Sequence, residues 1–172
     1  MSHNTILKLI MCFLLVGSYF FLPKYGFTFH GPVLNHFLYP FSHANIWHLS
    51  ANILCLWMLR CQPHIIATFV CAALCSFLPC PLLPLYGESD ALTMGFSGVL
   101  FAMVGISWGR IHRFKDMINR NKWFLILPAF LPHVNFLIHI YCLLAGYIYG
   151  SVCCHAMTTL KNKLCASKLK NS

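Results

Sequence analysis

Six apolar stretches, at about 5–22, 44–59, 63–86, 94–108, 123–131 and 134–152, dominate this chain and decide what it can fold into. Charged residues are only 9% of the sequence, against about 25% in soluble domains. Hydrocarbon offers no partner to a bare N–H or C=O. Long apolar runs therefore close their own hydrogen bonds as helices. The expected fold class is an all-α polytopic membrane protein, one membrane domain over 1–172 with no soluble accessory domain. Its first partner is the lipid bilayer. The first run, with Lys8 near its start, has the look of a signal peptide. It ends Ser18-Tyr19-Phe20-Phe21-Leu22-Pro23 without a small-x-small cleavage site, so it reads as a retained helix.

The basic residues then orient the bundle. Arg110, Arg113, Lys115, Arg120 and Lys122 share the linker after the fourth run, and Lys161, Lys163, Lys168 and Lys170 share the tail. If all six runs span, Lys8 and Arg60 fall on that same side and only Lys24 falls opposite, with Glu88 and Asp90. Eleven of the 12 basic residues on one side put both termini in the cytoplasm by the positive-inside rule. The expected location is the cell membrane, in a small bacterial inner-membrane protein. The formal charge of +9 does not mark a nucleic-acid partner, because these residues sit between apolar runs and not on one soluble face. The fifth run rises only roughly 14 Å against about 30 Å of hydrocarbon. Starting it near Met117, as 117–131, with Arg120 and Lys122 snorkelling, recovers part of the deficit. A five-span alternative merges runs five and six, but must carry a helix through Pro128, Pro132 and Asn135. The linker 23–42 mixes Tyr25, Phe27, Phe29, Phe37, Tyr39 and Phe41 with His30 and His36, which suits the outer interface. Ten cysteines include no Cys-x-x-Cys pair and read as small apolar packing residues. Cys153, Cys154 and Cys165 near the inner surface are open to lipidation.

Polar residues inside the bilayer are costly, so they pack against protein or line a wet cavity. Runs two, four and six all head inward, and each holds its polar residues near its outer end: His43, His48 and Asn52, then Gly95-Phe96-Ser97-Gly98, then Asn135 and His139. His48, Ser97 and His139 each lie within about five residues of a helix start, roughly 8 Å deep. Each has a bland reading. Ser97 sits among Gly95, Gly98, Ala102 and Gly105 as one more small packing residue. His139 serves as an interhelical hydrogen-bond partner, and His48 with Asn52, four apart on one face, as helix glue. Their convergence at one level favours a site instead.

Missing residues narrow the chemistry. The three acidic residues, Glu88, Asp90 and Asp116, all fall in loops. There is no His-Glu-x-x-His for zinc and no intramembrane aspartate pair, so neither a metal nor a cofactor is expected. What remains is Ser97 as nucleophile with His139 as base, a dyad and not a triad. A helix start supplies backbone N–H groups and a positive dipole end to an oxyanion. His48 and Asn52 add side-chain donors.

These residues resemble the rhomboid family of intramembrane serine proteases. His43, His48 and Asn52 match its His-x4-His-x3-Asn motif, and Gly95-Phe96-Ser97-Gly98 matches its Gly-x-Ser-Gly motif. His139 followed by Ala145-Gly146 and Gly150 matches its sixth-helix pattern, where glycines bring that helix close to the serine helix. The likeness spans roughly 39–150 and implies a six-helix rhomboid-like bundle. It implies Ser97 as nucleophile and His139 as general base and acid, with His48, Asn52 and the Ser97 N–H as oxyanion hole. His43, Gly95, Gly98 and Gly146 support the site, and Phe101 places a ring against His139. Implied substrates are single-pass membrane proteins cut near the outer end of the spanning helix. There are departures: no arginine in 23–42, where many bacterial members have a Trp-Arg pair, Cys142 in place of a common glycine, and a short fifth run beside the substrate path. Two other readings remain. One is a non-catalytic rhomboid-like escort of membrane clients, although inactive relatives usually lose the serine or histidine. The other is a small transporter or haem protein using His48 and His139. Nothing in the sequence sets the oligomeric state.

Overall fold

The computed structural model describes residues 2–59, 64–79, 92–111 and 135–170, and these are mostly helical. Helix α1, His3–Phe21, starts on Ser2, whose hydroxyl accepts the Thr5 N–H. It stops where Pro23 holds Leu22 extended. Only Met11, Leu15 and Ser18 on one stripe are fully buried, with Cys12 and Tyr19 packed beside them. Ser18 Oγ, 2.8 Å from the Phe41 carbonyl, ties the stripe to the following loop.

That loop is more ordered than an interfacial linker need be. It contains a short helix α2, Val33–Leu38, and a 3-10 turn, Tyr39–Phe41. His36 is buried, with Nδ1 3.0 Å from Ser76 Oγ and its ring stacked 4.1 Å from Phe77. Tyr39 donates its hydroxyl to the Ala72 carbonyl at 3.2 Å. Val33, Leu34 and Phe37 remain exposed, an apolar face of the kind that suits a membrane interface.

Helix α3, Ile46–Met58, is capped by the Asn45 side chain, which accepts the His48 N–H at 2.9 Å. Lys8 of α1 reaches its other end, donating to the Leu59 and Trp57 carbonyls and lying 5.8 Å from the Trp57 ring. A cation on the last carbonyls of a helix satisfies groups that have no partner within the helix. Lys8→Met should therefore lower stability in detergent by about 1–2 kcal/mol, with Lys8→Arg nearly neutral, as read from thermal unfolding.

Helix α4, Ile65–Ser76, ends ten residues short of the expected boundary at 86. Pro79 has no N–H to offer the Cys75 carbonyl, which instead accepts from Leu78 in a closing turn. Helix α5, Ser97–Ile111, is buried on nearly every side, which explains why it is apolar all round. Helix α6, Phe136–Lys170, runs 18 residues past the expected end at 152. No glycine or proline follows Gly150, and polar residues alone do not stop a helix.

Helices α5 and α6 meet backbone to backbone. A Cβ on Gly146 or Gly150 would land on the Ala102 or Ile106 carbonyl, and one on Gly105 or Gly109 on the Leu143 or Tyr147 carbonyl. Small residues at four-residue spacing allow this approach. By length and apolarity α1 and Phe136–Ala156 of α6 can each cross a membrane, while α3 and α4 are apolar but shorter. The expected fifth helix, 117–131, and the end of the third run, 80–86, lie outside the described residues.

Candidate active site

The site forms where α3, α5 and α6 begin. His48, Ser97 and His139 are the third, first and fourth residues of those helices, so a common depth follows from the helix starts alone. The segment leading into α5 is held from three directions. Thr93 exchanges backbone hydrogen bonds with Phe27, at 2.9 and 2.8 Å. The Gly95 N–H donates to the Tyr39 carbonyl at 2.9 Å. The Phe96 N–H donates to Nε2 of His43 at 3.4 Å. Burial first, and then the neighbouring His48, lower the His43 pKa to about 4. His43 is therefore neutral at neutral pH and its Nε2 is free to accept.

Gly95 has φ +123°, a conformation that side-chain-bearing residues rarely adopt. It also has no room for one. A Cβ there would lie 2.6 Å from Cε1 of His48 and 3.7 Å from Nδ2 of Asn52. This glycine lets the chain turn into α5 directly against the His48 and Asn52 side chains. Asn52 is buried and donates back to the His48 carbonyl at 3.0 Å, leaving its second N–H to point elsewhere.

Across the site, Ser97 Oγ and His139 Nε2 are 2.8 Å apart. A serine hydroxyl donates in that pair only if the proton of a neutral imidazole sits on Nδ1. Among the described residues Nδ1 of His139 has no hydrogen-bond partner, and all three acidic residues of the chain lie outside them. The ring is fixed instead by stacking: Phe101, one turn below Ser97, lies 4.5 Å away and 13° from parallel. His139 is buried and Ser97 is half-buried. The hydroxyl is thus the more accessible member, and the base is shielded behind it. Such an arrangement can move a proton from a hydroxyl to a nitrogen beside free helix N–H groups.

Six expected residues, Ser97, His139, Phe101, His48, Asn52 and Gly95, come together here. His43 acts through the Phe96 N–H and Gly98 through packing, since a Cβ on it would lie 2.7 Å from the Tyr39 hydroxyl and 3.3 Å from Cys142 Sγ. Gly146 is remote from the dyad and belongs to the α5–α6 contact. Three further residues hold the site in place, and of these only Asn135 stands out in the sequence, as a polar partner to His139 at the start of the sixth run. Tyr39 anchors Gly95, and its contacts have no local sequence sign. Asn135 caps α6, accepting the Ile138 N–H at 3.4 Å. An asparagine directly before an apolar run is a cap signal. Thr93 receives the Asn135 Nδ2 at 2.9 Å. Among the described residues no three His, Cys, Asp or Glu side chains converge to hold a metal ion.

A family profile described as the Rhomboid domain matches residues 30–156. A protein of Acanthamoeba polyphaga mimivirus that carries the name of a rhomboid protein is 25% identical over 138 residues, covering 76% of this chain and 81% of that one.

Proposed function

Because the chain belongs to the rhomboid family, which is embedded in membranes through its helices, we propose that it is an intramembrane serine endopeptidase acting through Ser97 and His139. The observation that carries this reading is the 2.8 Å contact between Ser97 Oγ and His139 Nε2. As Ser97 Oγ attacks a peptide carbonyl, His139 Nε2 takes its proton and the carbonyl oxygen becomes an oxyanion. The Ser97 N–H at the start of α5, with His48 and Asn52, stabilises that charge. Collapse expels the amine, which receives the proton from His139 and leaves an acyl-serine. A water molecule, deprotonated by the same nitrogen, hydrolyses the ester and restores both groups.

Six spans with both termini on the cytoplasmic side fit the charge distribution, and they place the dyad near the outer surface. Substrates in this reading are single-pass membrane proteins, cut near the outer end of their spanning helix. A helix hides its peptide bonds, so helix-weakening residues at the cut should speed cleavage.

The direct test is a fluorophosphonate probe on the purified protein in detergent, beside cleavage of a model membrane substrate. Labelling confined to Ser97 supports the proposal. A correctly folded protein that neither labels nor cleaves supports a client-binding escort. The oxyanion assignment has its own test: Asn52→Ala should lower kcat roughly 10²- to 10³-fold. Probe binding at Ser97 should become slower but persist. Undiminished kcat would remove Asn52 from the oxyanion hole.

A further inference from the structure

Resting on the protease reading, we infer that the Asn135–Thr93 hydrogen bond is a positioning element that sets the register of α6 against α5, and with it the distance between His139 and Ser97. The bond runs from Asn135 Nδ2 to Thr93 Oγ1 at 2.9 Å and is buried. Each partner lies four residues ahead of a dyad member, Thr93 before Ser97 and Asn135 before His139. Neither partner can drift. Thr93 is fixed by its two backbone hydrogen bonds to Phe27. Asn135 uses its other side-chain atom, Oδ1, to cap α6 through the Ile138 N–H. One asparagine thus holds the start of the histidine helix and fastens it to the segment that leads into the serine.

The glycine contacts do not do this work. They set how closely α5 and α6 approach, farther down the pair at Gly105, Gly109, Gly146 and Gly150. Apolar and backbone packing tolerates small sliding or tilting of one helix on the other. A directional hydrogen bond near the reacting ends does not. Proton transfer depends steeply on that placement, and a shift of about 1 Å at a reacting centre can cost 10²-fold in rate.

Thr93→Val isolates the tie, because it keeps the branched shape and the backbone pairing and leaves the Asn135 cap intact. It is expected to lower kcat about ten- to a hundredfold with KM within about twofold of the unaltered enzyme, assayed well below the unfolding midpoint. Thr93→Ser, which retains Oγ, should restore kcat to within about threefold. Asn135→Ser, which keeps a capping oxygen but is too short to reach Thr93, should behave like Thr93→Val. A kcat for Thr93→Val within about threefold of the unaltered enzyme overturns the inference. So does a loss that Thr93→Ser fails to restore, or one expressed wholly in KM. Should the unaltered protein neither cleave nor label, the protease reading fails separately. The tie is then read by hydrogen exchange, where Thr93→Val must speed exchange at residues 93–96 and 136–139, and unchanged protection overturns it.

Discussion

Ser97→Ala should abolish both cleavage and fluorophosphonate labelling, with cleavage falling by roughly 10⁴-fold or more. The substitution removes one oxygen from the first residue of α5 and leaves a good helix former in its place. Stability should change by less than about 1 kcal/mol, so lost activity reports chemistry and not unfolding. His139→Ala should lose a similar amount. Ser97 Oγ then loses the one base it is hydrogen-bonded to among the described residues. The double variant should be no worse than either single one, because nucleophile and base act as a unit. Cleavage within tenfold of the unaltered enzyme in either single variant would falsify the dyad. His139→Ala also empties the space facing Phe101, so its unfolding midpoint should be measured beside its rate.

Gly146→Leu should separate α5 from α6 and destabilise the protein by more than about 3 kcal/mol. Any Cβ at this position falls on the Ala102 backbone carbonyl, which cannot swing aside as a flexible side chain would. The helices must move apart, which also loosens the matching contact at Gly150. Thermal or denaturant unfolding in detergent measures the effect. Gly17→Ala is the control. Nothing lies within 4 Å of a Cβ there, and removing a glycine from a helix interior should raise stability by up to about 1 kcal/mol. Equal effects at the two positions would show that helix propensity, and not close approach, governs Gly146.

Local causes leave their mark in the sequence and distant ones do not. Ser97, His139, His48 and Asn52 were legible because depth in a helix can be counted from its start, and three starts at one level leave little freedom. Gly95 and Gly98 came with the motif, but the collision that requires Gly95, against the His48 ring, is a contact across 47 positions and invisible in the chain. The roles of Tyr39 and Thr93 leave no local sign for the same reason, since each works through a backbone or side-chain group on another element. Helix ends were legible only where a breaker marks them. Pro23 ends α1 as expected, whereas Pro79 stops α4 earlier than its apolar run suggests. The change from apolar to polar after Val152 marks where lipid contact would end, not where the helix does. The fold class was legible at the level of a helical membrane protein of the rhomboid family.

The glycine seam also bears on how a substrate could enter. Ser97 and His139 ride on two helices joined through their backbones, and parting those helices would break the contact between hydroxyl and imidazole. In the protease reading the α5–α6 pair is therefore the doorpost, and whatever swings to admit a peptide hangs elsewhere on the frame.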